Sequence, residues 1–172
     1  RTFQNIRLFK KLSVLDNVRV GMHSVSRAGF ISAMLYTPWA VKRERVTREK
    51  SMALLELVGL EDKAIELAGS LPYGEQRCLE IARAMALDPS LLLLDEPAAG
   101  MNATEKEELL ELIRRIRELG VTVLLVEHDM NVVMNICDRI AVLDYGRKIA
   151  EGAPEQIKND PRVIESYLGV EL

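Results

Sequence analysis

The spacing of apolar and polar positions changes character at about Gly74. From Leu12 to about Gly69 it is mostly helical, and Thr47-Arg48-Glu49-Lys50 leads into an apolar series, Met52, Leu54, Leu55, Leu57 and Val58, that stops at Gly59. Beyond Gly74, strand-length runs alternate with helical periods. These predict helix over about 75–87, strand over 91–94, helix over 104–119, strand over 121–126 and helix over 130–136. Two further strands, 139–143 and 148–150, flank a turn at Asp144-Tyr145-Gly146, and the tail 154–168 reads as two short helices. Strands spaced by helices of this length predict a parallel α/β sheet with right-handed crossovers. The four successive leucines from Leu91 to Leu94 suit a strand buried on both faces of such a sheet. The helix over 104–119 is amphipathic, with Leu109, Leu112, Ile113 and Ile116 inward and Glu–Arg pairs such as Glu111 with Arg115 on a solvated outer face.

Composition narrows the picture. With 172 residues, 48% apolar and 28% charged, the chain has material for one core of ordinary density. A net charge of −3 gives no electrostatic footprint for nucleic acid. No apolar run approaches the ~18 to 20 residues of a spanning helix, so membrane association is expected through a partner. Cys78 and Cys137 lack Cys-x-x-Cys spacing and read as free thiols of a reducing compartment, the cytoplasm. The chain runs from Arg1 straight into structured-looking sequence, from which the start of a larger domain is expected to lie upstream.

Three places can carry chemistry. Asp95 and Glu96 emerge together at the carboxyl end of the leucine strand, where open α/β sheets place their ligands, and Pro97 stops the strand. A carboxylate there can hold a phosphate-bound Mg²⁺ through its water shell, and a second can orient or deprotonate an attacking water. Gly74, Glu75 and Gln76 stand at a helix start, where unpaired N–H groups and the dipole form an anion cradle; a glycine-containing helix entry without a ligand is the alternative. His128 follows the next strand, so parallel pairing would bring it to the same edge as Glu96, in reach of a γ-phosphate; an ordinary partly buried histidine is the other reading. His23 has no comparable setting, and Gln4, near the start, means little by itself.

The order of these features is more specific than any one of them. Phe3-Gln4, then Leu71-Pro72-Tyr73-Gly74-Glu75-Gln76-Arg77, the leucines with Asp95-Glu96-Pro97, Ala99-Gly100-Met101-Asn102 and Glu127-His128-Asp129 resemble the Q-loop, signature motif, Walker B, D-loop and H-switch of ABC-transporter ATPases. Within that family, residues 1–9, the D-loop and the ending from Pro154 to Gly169 are similar to the ATP-binding subunits of branched-chain amino acid importers. The resemblance implies an α/β, P-loop NTPase-type (RecA-like) parallel sheet with an inserted helical subdomain over about 5–74, an α/β core over about 75–153 and C-terminal helices over 154–172. It implies ATP and Mg²⁺ as ligands, with Asp95 on the metal, Glu96 as general base and His128 on the γ-phosphate. Gln4 would sense the metal or lytic water, while Gly74, Glu75, Gln76 and Asn102 would act on the partner subunit's ATP. Implied partners are a second ABC ATPase, membrane permeases and, through them, an extracytoplasmic solute-binding protein, at the cytoplasmic face of the plasma membrane.

Two departures qualify the resemblance. Pro72 and Tyr73 occupy the usual Ser and first Gly of the signature; Pro72 has neither a hydroxyl nor an N–H, which removes two phosphate donors, and Asn102 stands where many members have Asp. None of the ten glycines is followed by Lys, so the phosphate-wrapping loop G-x-x-x-x-G-K is not in this sequence, and these residues alone are expected to bind ATP poorly and to hydrolyse almost none. The ATPase of another ABC system, such as a lipopolysaccharide exporter, a non-catalytic ABC-like docking module, and a soluble ABC protein acting on DNA or ribosomes are the alternatives.

Overall fold

The computed structural model describes residues 8–23 and 38–168. Two compact units divide the chain, Arg1–Val126 and Glu127–Leu172.

In the first unit, helices α1 (Val14–His23), α2 (Pro38–Leu57) and α3 (Tyr73–Met85) precede β1 (Leu91–Asp95), α4 (Ala103–Glu118) and β2 (Thr122–Val126). Ser13 starts α1: its hydroxyl accepts from the Asp16 amide at 3.0 Å and donates to the Asp16 carboxylate at 2.7 Å. The buried stripe of α1 is Val14, Asn17 and Val18. Helix α2 ends as the glycine predicts. Gly59 takes φ +70°, its amide bonds Glu56 O at 3.2 Å, and Leu60 N reaches Leu55 O at 2.9 Å, a Schellman closure. The inward side of α2 runs Ser51, Leu55, Val58, so a small polar residue takes one place in the apolar stripe; its hydroxyl donates to Met22 Sδ at 3.6 Å.

Helix α3 begins two residues earlier than expected because Pro72, at φ −53° and ψ 157°, serves as its N-cap. It buries Leu79 and Ala82, with Ala86 at its C-cap, and also Arg77 and Glu80, which pair at 3.2 Å. Strands β1 and β2 are parallel, in register from Leu91 opposite Thr122 to Asp95 opposite Val126. The crossover α4 buries Leu109, Leu112, Ile113 and Ile116. On its outer face Glu111 pairs with Arg114 at 3.2 Å in place of the expected Arg115, three residues on being as close as four on a helix surface.

The expectation that β1 is buried on both faces needs correction. Leu92 and Leu94 are 1% exposed, but Leu91 is 48% exposed, and on the same face of the pair Leu124 and Val126 are 52% and 55% exposed. Continuous apolar sequence reflects a strand suited to two covering layers; among the described residues only one face of this pair has its layer.

The second unit holds α5 (Met130–Ile136), the antiparallel hairpin β3 (Ile140–Asp144) and β4 (Arg147–Gly152), α6 (Pro154–Lys158), and α7 (Pro161–Val163) running into a π-turn at Ile164–Leu168. Val133, Ile140, Val142, Ala150, Ile157 and Val163 form its core. Tyr145 and Gly146, at φ 43° and 78°, make a two-residue turn whose left-handed backbone matches strand twist.

Candidate active site

The chain reverses sharply where β1 ends. Asp95 lies opposite Val126, and Glu96 extends the ladder by one rung, its amide donating to Val126 O at 2.8 Å. Glu96 itself has φ +46°, in the left-handed region that costs a residue with a Cβ about 1 kcal/mol. Its carbonyl then accepts from Ala99 N at 3.2 Å, closing the turn. Consecutive half-buried carboxylates are thereby held at the carboxyl end of a parallel strand, with Pro97 and Ala98 buried behind them. Strain of this kind, fixed by hydrogen bonds on both sides, marks residues whose direction matters. Hard carboxylate oxygens suit Mg²⁺. Among the described residues no group of three or more His, Cys, Asp or Glu gathers as a metal cage.

The signature turn is built from its own side chains. The first ladder bond of α3 is Gln76 N to Pro72 O at 3.0 Å, so the amides of Tyr73, Gly74 and Glu75 lie before the helix's own ladder. The Gln76 side-chain amide donates to Leu71 O at 2.8 Å. Both Glu75 oxygens accept from Lys63 Nζ at 2.6 Å, and this bond raises the lysine's pKa above its ordinary value. Glu75 and Gln76 therefore shape the turn with their side chains. Gly74 is buried, and a methyl group there would stand 2.8 Å from Glu105 Oε1. Within this chain the close neighbour of Gly74 is the Glu105 carboxylate.

Asn102 caps α4. Its Oδ1 accepts from Glu105 N at 3.0 Å while Glu105 Oε2 accepts from Asn102 N at 2.9 Å, a capping box that an amide closes as well as Asp does. Gly100, before it, has φ +77°. His128 is exposed, and its amide donates to Glu127 Oε2 at 3.3 Å; Asp129 caps α5, accepting from Asn131 N at 3.0 Å and Val132 N at 3.4 Å. Gln4 lies outside the described residues. Sequence reasoning passed over Glu105 and Lys63. The Asn-x-x-Glu spacing from Asn102 is a capping-box signal that pointed to Glu105, whereas nothing in the sequence marks Lys63, whose partner is twelve residues away.

A family model described as ABC transporter matches residues 1–99. The chain belongs to the ABC transporter ATPase family. A second model, described as branched-chain amino acid ATP-binding cassette transporter, matches residues 147–172 of this ABC ATPase. It is 46% identical over 170 residues to the high-affinity branched-chain amino acid transport ATP-binding protein LivG of Escherichia coli (strain K12), covering 98% of the chain and 67% of that relative. Identity to BraF of Pseudomonas aeruginosa is 47%, with the same coverage. Among solved structures, the ADP conformation of MJ1267, an ATP-binding cassette of an ABC transporter, superposes with TM-score 0.79 at 30% identity, covering 98% of this chain and 67% of the other. The cbiO1 structure from Clostridium perfringens, part of the cbiONQ transporter complex, gives TM-score 0.74 at 26% identity, covering 96% of this chain and 60% of the other. The α/β fold expected from the sequence is thus the ABC ATPase fold, and ATP is the family's ligand. No helix among the described residues is long and apolar enough to cross a membrane.

Proposed function

We propose that this ABC ATPase energises import of branched-chain amino acids, with Glu96 as general base for the water that attacks Mg-ATP at a subunit interface. The observation that carries the reading is the Asp95–Glu96 pair held at the end of β1, in a chain 46% identical to a branched-chain amino acid transport ATP-binding protein. Asp95 would hold Mg²⁺, which shields phosphate charge when bound. Glu96, turned out of the strand by its left-handed backbone, accepts the water's proton, and His128 contacts the γ-phosphate. The turn at Gly74 and the D-loop ending at Asn102 face the nucleotide of the opposing subunit, so one subunit does not complete its own site; Gln4 reports nucleotide state to the permeases. The partners are a second, related ATPase, two permease subunits and a solute-binding protein, at the cytoplasmic face of the membrane. Leu8-Phe9, with Phe9 exposed, and the Tyr36–Trp39 region are the proposed permease contact; Tyr36 and the Trp39 side chain lie outside the described residues.

Reconstitution of the full-length subunit with its permeases and partner ATPase in vesicles tests this. Leucine-stimulated ATP hydrolysis and uptake are expected. Glu96→Gln is expected to lower turnover by about 10² to 10⁴ while nucleotide binding persists. Undiminished turnover by that variant removes the general-base assignment, and stimulation only by an unrelated solute removes the import assignment.

A further inference from the structure

Tyr73, which departs from the family's signature pattern, has a structural partner. A methyl group on Gly100 would stand 3.4 Å from Tyr73 Cε1 and 3.8 Å from Cζ, so the ring lies over the D-loop backbone. The ring is fixed from behind: Arg77 Nη2 donates to the Tyr73 hydroxyl at 3.2 Å, and its guanidinium carbon is 5.7 Å from the ring centroid. Arg77 is only 2% exposed and is held by Glu80 at 3.2 Å, so moving the ring means disturbing a buried charge pair. The same two loops meet a second time, where Glu105 Oε1 fills the space beside Gly74 while its other oxygen closes the cap on Asn102.

We propose that Tyr73 and Glu105 are positioning residues that fasten the signature turn to the D-loop of the same subunit, so that both loops are presented to the partner as one body. The ring occupying a place that is usually Gly supplies a contact that a glycine cannot make, and compensates in rigidity for the hydroxyl and N–H donors lost at Pro72. The functional half of this inference rests on the reading that both loops face the partner's nucleotide; the link itself does not.

The test is amide hydrogen exchange on the full-length subunit, with ATP turnover of the assembled transporter as a second readout. Tyr73→Ala is expected to speed exchange in the D-loop segment 98–103 at least about threefold, whereas Tyr73→Phe, which keeps the ring over Gly100, leaves it within about twofold. Tyr73→Leu serves in place of Tyr73→Ala if the latter does not fold. In turnover, Tyr73→Ala is expected to lower kcat about tenfold with little change in KM, and Tyr73→Phe to restore it. Faster exchange confined to the signature turn, with the D-loop unchanged, overturns the link. Equal loss of turnover in the Ala and Phe variants overturns the role given to the ring. A wild-type transporter that hydrolyses no ATP defeats the proposed function instead, and the exchange result still decides the link.

Discussion

Asn17 offers a measurable test of what holds the helical part of the first unit together. It is fully buried in α1, and its side chain makes three bonds: Oδ1 accepts from Phe9 N at 2.9 Å, and Nδ2 donates to Phe9 O at 3.1 Å and to Ser13 O at 3.0 Å. Counting three bonds overstates the loss in Asn17→Ala. Phe9 O retains a bond from Leu12 N at 2.9 Å, and Ser13 O retains one from Asn17 N at 3.0 Å. Only the Phe9 N–H is left without its partner among the described residues, which costs about 1 to 3 kcal/mol, and the lost packing adds a little. The expected destabilisation is about 2 to 3 kcal/mol. Asn17→Asp keeps the acceptor for Phe9 N but turns an oxygen toward two carbonyl oxygens and buries a charge, so at neutral pH it should be worse, by about 3 to 5 kcal/mol. That carboxyl has a folded pKa above its unfolded value, since only its protonated form can donate to Phe9 O. Its deficit relative to wild type therefore shrinks as pH falls. Urea unfolding of the full-length subunit, followed by circular dichroism at two pH values, reads all three quantities. An Asn17→Ala loss below about 0.5 kcal/mol, or an Asp variant more stable than the Ala variant at neutral pH, would show that the buried amide does not clamp residues 9–13 to α1.

Other outcomes can be checked on the same protein. Tyr145 is fully exposed at φ 43°, so Tyr145→Asn or Tyr145→Gly should stabilise the hairpin by about 0.5 to 1 kcal/mol in thermal unfolding, and a loss of stability contradicts the turn geometry. Burial, with a smaller contribution from Glu108, pushes the Cys78 thiol up to about 11; in a Cys137→Ser background iodoacetamide near neutral pH should label the folded protein at least tenfold more slowly than the unfolded chain, and equal rates would show the thiol to be accessible. The bond from Lys148, then the charge of Arg139, holds the Glu151 carboxyl below its usual range. A depressed folded pKa adds stability above the unfolded value and loses it as pH falls through the folded one, so the second unit should weaken below about pH 4, and Glu151→Gln should flatten that dependence. An unchanged acid limb in Glu151→Gln assigns the loss to other groups.

The elements of this protein were largely legible in its sequence because they depend on neighbours along the chain. Four inward positions of α4, the Gly59 stop and the Tyr145-Gly146 turn follow from periods of 3.6 and 2 and from backbone sterics, which are local. The Asp95–Glu96 pair and the ordered motifs were visible for the same reason: a strand end places its next residues at a predictable edge. Whatever depended on residues distant in sequence was hidden. The left-handed turn at Glu96 is held by a bond to Val126, thirty residues away, and no local preference for a glutamate announces it. That a carboxylate from α4 stands beside Gly74 was likewise a matter of distant segments meeting. Tyr73 read as a defect in a motif, while the tertiary structure sets its ring on the D-loop. Sequence determined the elements and the chemistry at their ends; tertiary structure alone decided which loops meet, because contact between distant segments is set by packing and leaves no period in the chain.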